Sequence, residues 1–243
     1  MRWLLGGELH PGGQTLTRRA FELIRLDADD WLLDVGSGDG TTVMLGAREH
    51  GCHATGVEYG AGAVEDARAR AAELELDDRV EFVPGDAGAL PLGDANFDAV
   101  ISECSLCTFA DKGGAIEEIR RVLVPGGRLA LSDAVAEVEG LPGRLRGAMG
   151  AIACVGEALP PGGHRELLEG AGFEVVAQED RTADAIEMAD GIADRVRGAK
   201  VLGLDDLFPL NGGAAAALEL LGEARAAIAD GRIGYVLLAA RRV

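Results

Sequence analysis

The stretch WLLDVGSGDGTT, Trp31 to Thr42, runs three apolar residues into an aspartate and, after a valine, sets glycines at positions 36, 38 and 40. A buried strand that breaks into glycines ahead of helix-compatible residues brings its backbone close to a ligand at the mouth of an α/β sheet. The flanking sequence supports such a sheet. Strand-like runs recur as WLLDVG, HATGVEY, VEFVPGD, FDAVIS, GRLALSD, FEVVAQ and IGYVLLAARR. Between the first five lie segments such as 61–72 and 114–123, whose apolar residues fall at three- and four-residue spacing. That alternation predicts an α/β fold with a doubly wound, mostly parallel sheet.

A chain of 243 residues, 48% hydrophobic, suits one sizeable domain spanning 1–243. Residues 1–30 are expected to form an N-terminal helical lid segment, with a helix around Thr15 to Ile24. The run LPPGGHRELLEGAGF predicts a helix leading into the sixth strand. Roughly fifty residues then separate the sixth strand from the seventh, too many for a simple turn. Helical patterning in Ala183 to Val196 and Ala214 to Ala229, with FPLNGG between, predicts a helical insertion over 180–231.

Lysine plus arginine number 23 against 41 acids, a net charge of -18, and only Lys112 and Lys200 are lysines. So acidic a surface repels phosphate backbones and anionic lipid, so neither nucleic acid nor membrane is an expected partner. Apolar runs such as YVLLAA are far short of the roughly 20 residues a bilayer needs, and MRWLLGG reaches glycine too early for a signal peptide. The expectation is a cytoplasmic protein whose four cysteines, Cys52, Cys104, Cys107 and Cys154, are reduced.

A dinucleotide site prefers G-x-G-x-x-G and sets a helix N-terminus against a pyrophosphate. Here the order is Gly36-Ser37-Gly38-Asp39-Gly40, which misplaces the third glycine and puts a carboxylate where phosphates would lie. An acidic loop suits a ligand that carries positive charge and no phosphate, and S-adenosylmethionine meets that description. Glu58 closes the second strand at the distance where an acid pairs with ribose hydroxyls, and Tyr59 follows as an adenine-stacking candidate. After the third strand, Asp86 offers a carboxylate for the adenine amine and Ala87 a backbone N–H for a ring nitrogen.

In LLDVGSGDG, GVEYG, GDAGALPL, FDAVIS and IRRVLVPGGRLALSD, taken in order, the chain resembles the class I S-adenosylmethionine-dependent methyltransferases over about residues 20–176. The resemblance implies a Rossmann-like sheet of seven strands with the last antiparallel. It also implies that Asp34, Gly36, Ser37 and Gly38 surround the methionine moiety, Glu58 and Tyr59 the ribose and adenine, and Asp86 and Ala87 the adenine. Glu103, just past the fourth strand, would stand beside the sulfonium and the substrate.

Methyl transfer needs a nucleophile lined up behind the methyl group in a site that excludes water. An oxygen or ammonium nucleophile must also lose a proton, whereas a soft lone pair on arsenic(III) or sulfur needs no base. SECSLCTFADK places Cys104 and Cys107 after the fourth strand, and Cys154 follows in CVGEAL. A structural zinc site wants four ligands and no second C-x-x-C exists, so no metal site is expected. CVGEAL and GAGF are similar to stretches of arsenite methyltransferases, which implies a substrate thiol at Cys154; either Cys104 and Cys107 complete a thiolate site with it, or the ancestry is shared and the substrate is not. This chain has no cysteine after Cys154, where that family usually carries a further one. Three readings stand: transfer to a small molecule with thiol-bound arsenite as one acceptor; O-, N- or C-methylation of an organic metabolite; and a cofactor-binding scaffold. For organic acceptors the candidate bases are His10, in a Gly- and Pro-rich segment that could fold over the cofactor, and His164, expected at the surface or in a cap. Cys52 is expected to be structural, and packed thiols remain the simplest account of the other cysteines.

Overall fold

The computed structural model describes residues 9–146, 155–204, 208 and 212–243. The chain enters through helix α1 (Gly13–Ile24) and alternates thereafter: β1 (Trp31–Val35), α2 (Thr41–His50), β2 (His53–Glu58), α3 (Ala61–Glu73) and β3 (Val80–Pro84). The second half continues with β4 (Phe97–Glu103), α4 (Lys112–Val122), β5 (Leu123–Ala136), the short α5 (Gly143–Arg146), α6 (Gly163–Gly170) and β6 (Phe173–Asp180). It closes with α7 (Thr182–Val201), α8 (Gly213–Ala229) and β7 (Ile233–Arg242).

Seven strands form one sheet in the order β3-β2-β1-β4-β5-β7-β6. Neighbours from β3 through β5 pair in parallel, and β7 slots antiparallel between β5 and β6. The chain reverses direction across the sheet between β1 and β4, which opens a crevice at their carboxyl ends. The expected seven-stranded, doubly wound sheet with an antiparallel last strand is the observed one.

Alternation within each strand feeds two cores. Leu32, Ala99, Ile101, Ala130 and Leu237 face α1, α2 and α3, while Leu33, Val35, Val100, Leu129 and Leu238 face α4 and α6. Burial on both faces explains why β1 reads as an almost unbroken apolar run. α1 buries Leu16, Thr17, Ala20, Phe21 and Ile24, one stripe at helical spacing. Asp111 caps α4 by accepting the Gly114 N–H at 2.9 Å, and Gly51 ends α2 in the left-handed region. α7 and α8 pack against each other around Val196, Ala199, Phe208, Ala214 and Ala217. No described helix is long and apolar enough to cross a membrane.

Gly40 begins α2 at φ 75°, and a Cβ there would lie 2.4 Å from the buried Phe82 ring. Left-handed strain and overpacking act together at that position. Gly40→Ala is therefore expected to lower unfolding free energy by roughly 2–4 kcal/mol in urea titrations. A midpoint unchanged from wild type would refute this account of the loop.

Candidate active site

The glycine loop is held from below by β2 and from the side by the segment after β4. Gly36 and Ser37 both donate their N–H groups to the Val57 carbonyl, at 2.9 and 3.1 Å, and Gly40 N–H closes the turn on Ser37 O at 2.9 Å. A Cβ on Gly36, at φ 81°, would stand 2.6 Å from Ser105, whose hydroxyl donates to the Gly36 carbonyl at 3.2 Å. Only glycine allows that approach.

Acids ring the loop. Glu58, at the end of β2, accepts the Gly38 N–H at 3.0 Å on one oxygen and the Gly60 N–H at 2.9 Å on the other. Asp39 accepts the Thr41 N–H and hydroxyl at 3.1 and 2.7 Å and pairs with Arg70 at 3.4 Å. Asp34 is 3% exposed, and among the described residues no basic side chain forms an ion pair with it. Burial first, then the charges of Glu103, Glu58 and Asp39, push its carboxyl well above the ordinary range.

Glu103 ends β4 with a nearly buried carboxylate that gathers three elements. Thr17 of α1 donates its hydroxyl toward it at 3.0 Å, Thr42 of α2 donates at 2.9 Å, and His10 Nε2 lies 3.6 Å away. His10 Nδ1 is 3.1 Å from the Pro11 carbonyl, which can only accept, so that nitrogen carries the proton of the bond. Thr17 and Thr42 escaped the sequence reading. The available signal was a hydroxyl on the buried stripe of α1, one turn before Phe21.

Two cavities meet at Gly36. One, of about 400 Å³, is lined by Glu58, Tyr59, Asp86, Ala87, Cys104 and Phe109. The other, of about 50 Å³, is lined by Asp34, Ser37, Gly38, Thr42, Glu103 and His10. Every residue that the sequence suggested for the cofactor lies on one of these walls: Asp34, Gly36, Ser37, Gly38, Glu58, Tyr59, Asp86, Ala87 and Glu103. A nucleoside-sized space beside strand-end acids, next to a smaller acidic recess, fits S-adenosylmethionine. So does the Ser37 hydroxyl, which is buried on the loop with no hydrogen-bond partner among the described residues.

The thiols separate. Cys104 adopts φ 51° and is partly exposed on the larger cavity. Cys107 turns inward, 3% exposed, with its thiol toward the Cys104 carbonyl at 3.8 Å and its N–H on Asp133 at 2.7 Å. Cys154 lies outside the described residues. Cys52 is fully buried, which pushes its thiol up to about 11. Among the described residues no cluster of three or more His, Cys, Asp or Glu is arranged to hold a metal ion. His164 is corrected: it is not a surface or capping residue but 4% exposed, and burial, with Lys112 nearby, lowers its imidazole to about 4. It lines a separate cavity with Pro161 and Gln178, away from the glycine loop.

Comparison with known proteins assigns this geometry. The family profile described as a methyltransferase domain matches residues 26–159. The chain belongs to the S-adenosylmethionine-dependent methyltransferases. The 27-O-demethylrifamycin SV methyltransferase of Amycolatopsis mediterranei (strain S699) is 35% identical over 234 residues, 93% of this chain and 82% of that protein. The arsenite methyltransferase of Halobacterium salinarum is 34% identical over 174 residues, 68% of this methyltransferase but only 42% of its own length. Among solved structures, the [4+2]-cyclase SpnF superposes with a TM-score of 0.77 at 28% identity, over 99% of this chain and 91% of its own.

The raised Asp34 carboxyl gives a pH signature. The ligand-free fold binds a proton there that the unfolded chain releases, so stability falls as pH rises from the ordinary carboxylate range toward the raised value. A cationic ligand favours the ionised form, so S-adenosylmethionine affinity is expected to rise over the same window. Asp34→Asn should flatten both slopes in calorimetry and thermal melts; parallel profiles for the two proteins would sink the assignment.

Proposed function

We propose that the chain transfers the methyl group of S-adenosylmethionine to a hydroxyl oxygen of a small organic metabolite, with His10 as proton acceptor. The observation that carries this reading is the His10 imidazole at the recess of Asp34 and Glu103, its Nδ1 committed to Pro11 and its Nε2 turned inward. The cofactor, when bound, supplies an electrophilic methyl carbon. The protein's own residues do the rest. Glu58 accepts the ribose hydroxyls, Asp86 and the Ala87 N–H meet the adenine, and Tyr59 and Phe109 flank it. Asp34 and the Gly36–Gly38 backbone hold the amino-acid end, where the carboxylate answers the ammonium.

Neutral His10 presents a lone pair at Nε2 and can take a proton from an acceptor hydroxyl as the new bond forms. The imidazolium that results faces the Glu103 carboxylate at 3.6 Å, and Thr17 holds that carboxylate in place. Residues 9–30, which carry His10, act as the lid that keeps water from the reacting atoms. The relative from Amycolatopsis mediterranei, 35% identical over 93% of this chain, is by name an O-directed enzyme, which supports oxygen as the nucleophile.

A thiol-bound metalloid is the second reading, favoured by Cys104 on the cavity wall and by the arsenite methyltransferase relative. The inward Cys107 weighs against it.

Release of S-adenosylhomocysteine with a panel of phenols, alcohols, amines and arsenite plus glutathione separates these readings. For an oxygen acceptor, His10→Ala is expected to lower kcat by about 10²-fold or more while S-adenosylhomocysteine affinity stays within about twofold, with partial rescue by free imidazole. Full activity in His10→Ala, or turnover with arsenite that is lost in Cys104→Ser and Cys154→Ser, would overturn oxygen methylation with His10 as the base.

A further inference from the structure

A cavity of about 590 Å³ lies outside the cofactor pockets, between α1 and α7. Its walls include His10, Gln14, Arg18, Asp184, Gly191 and Arg195. His10 and Gln14 also line the recess that holds Asp34 and Glu103, so these two side chains stand between the two spaces. A volume of this size accommodates a drug-sized organic molecule. We propose that this cleft binds the methyl acceptor and selects an uncharged, polyhydroxylated organic molecule against a phosphate-bearing one. The proposal rests on the reading of His10 as the base.

The guanidinium groups on the walls are already engaged, and Glu187 adds a further carboxylate. Arg18 forms a two-pronged pair with Glu49 at 2.9 and 2.7 Å and donates to Gln14 at 3.3 Å. Asp184 receives Arg181 at 2.8 Å, and Arg195 is likewise engaged. A phosphate wants a guanidinium fork or a helix N-terminus, and here the fork of Arg18 is spent on a carboxylate. The start of α7 carries Asp184 in its first turn, which sets a negative charge where an anion would dock. A chain of net charge -18 adds a repulsive field to both effects. Hydroxyl and carbonyl groups need no compensating charge, and the Gln14 amide and the Thr15 hydroxyl on the wall are suited to them.

Gly191 allows a direct test. It sits within α7, its φ is not in the left-handed region, and an added Cβ would meet only the tip of Arg195 at 3.4 Å. Gly191→Phe should therefore fold while its ring fills the cleft. With the protein saturated in S-adenosylhomocysteine, two neutral polyols, erythronolide B and naringenin, and one anion, geranyl diphosphate, are titrated by saturation-transfer NMR. At least one neutral probe is expected to bind with Kd below ~100 µM and to weaken about tenfold or more in Gly191→Phe. Geranyl diphosphate is expected to show no saturable binding, and S-adenosylhomocysteine affinity to match between the two proteins. Absence of binding by both polyols, equal binding in Gly191→Phe, or saturable binding of the diphosphate overturns the proposal. Failure of the base assignment registers elsewhere, as full turnover in His10→Ala.

Discussion

Four carboxylates, those of Asp34, Asp39, Glu58 and Glu103, converge on the glycine loop, and the protein has to answer each of them in a crevice with little water. At an effective dielectric near 20, two like charges about 4 Å apart repel by about 4 kcal/mol, so the arrangement stands only where partners are supplied. Asp39 has Arg70 and Thr41, Glu58 has two backbone N–H groups, and Glu103 has two hydroxyls and His10. Asp34 has no such basic partner among the described residues and responds by holding its proton more tightly. A ligand with an ammonium and a sulfonium supplies what is missing. A pyrophosphate would add two more negative charges to the same place, so a loop built from glycines does not here serve a dinucleotide.

The same loop is tied to the far side of the sheet. Ser105 touches Gly36 so closely that a methyl group cannot intervene, and its hydroxyl lies within reach of both the Gly36 and the Glu103 carbonyls. Two residues on, the Cys107 N–H is fixed by the buried carboxylate of Asp133 on β5. The floor of the cofactor pocket and its outer wall therefore form one hydrogen-bonded unit running from β1 across β4 to β5. Strain in that unit is visible at Cys104, a residue with a Cβ held at φ 51° while its N–H reaches the Ser132 carbonyl at 2.7 Å. Such a backbone persists only where its surroundings over-determine it, and the Asp133 and Ser105 contacts on either side do so.

Much of this was legible in the residues themselves because it is local. The glycines, the acid at the end of β2 and the acid after β3 are read from strand-end position alone, and parallel strands buried on both faces announce themselves as apolar runs. What stayed hidden depends on approach in three dimensions. Thr17 looks like an ordinary helix residue until α1 lies over β4 and its hydroxyl meets Glu103. His164 sits in a Gly- and Pro-rich helix start that reads as surface, yet it is buried where α6 packs on β6. β5 also runs past the GRLALSD core to Ala136, where its long antiparallel partner β7 extends the ladder, and at its start Leu123 pairs with Phe97 of β4.

The matched family region leaves α1 outside it at one end and α7 at the other. Residues 26–159 hold β1 through β5 and the cofactor pockets, while His10 and α1 precede them and α7 follows. A shared cofactor half therefore accounts for likeness to proteins of different chemistry, and a [4+2]-cyclase among the solved structures shows how far the reaction can drift on one scaffold. On the proposed reading the chemistry is decided where the two parts meet, and they meet at the His10–Glu103 contact, 3.6 Å apart. One partner belongs to the strand end inside the family region, the other to the segment outside it. On the reading proposed above, a lid that carries the proton acceptor completes the site only when it is closed, so water exclusion and base catalysis would become a single event rather than two.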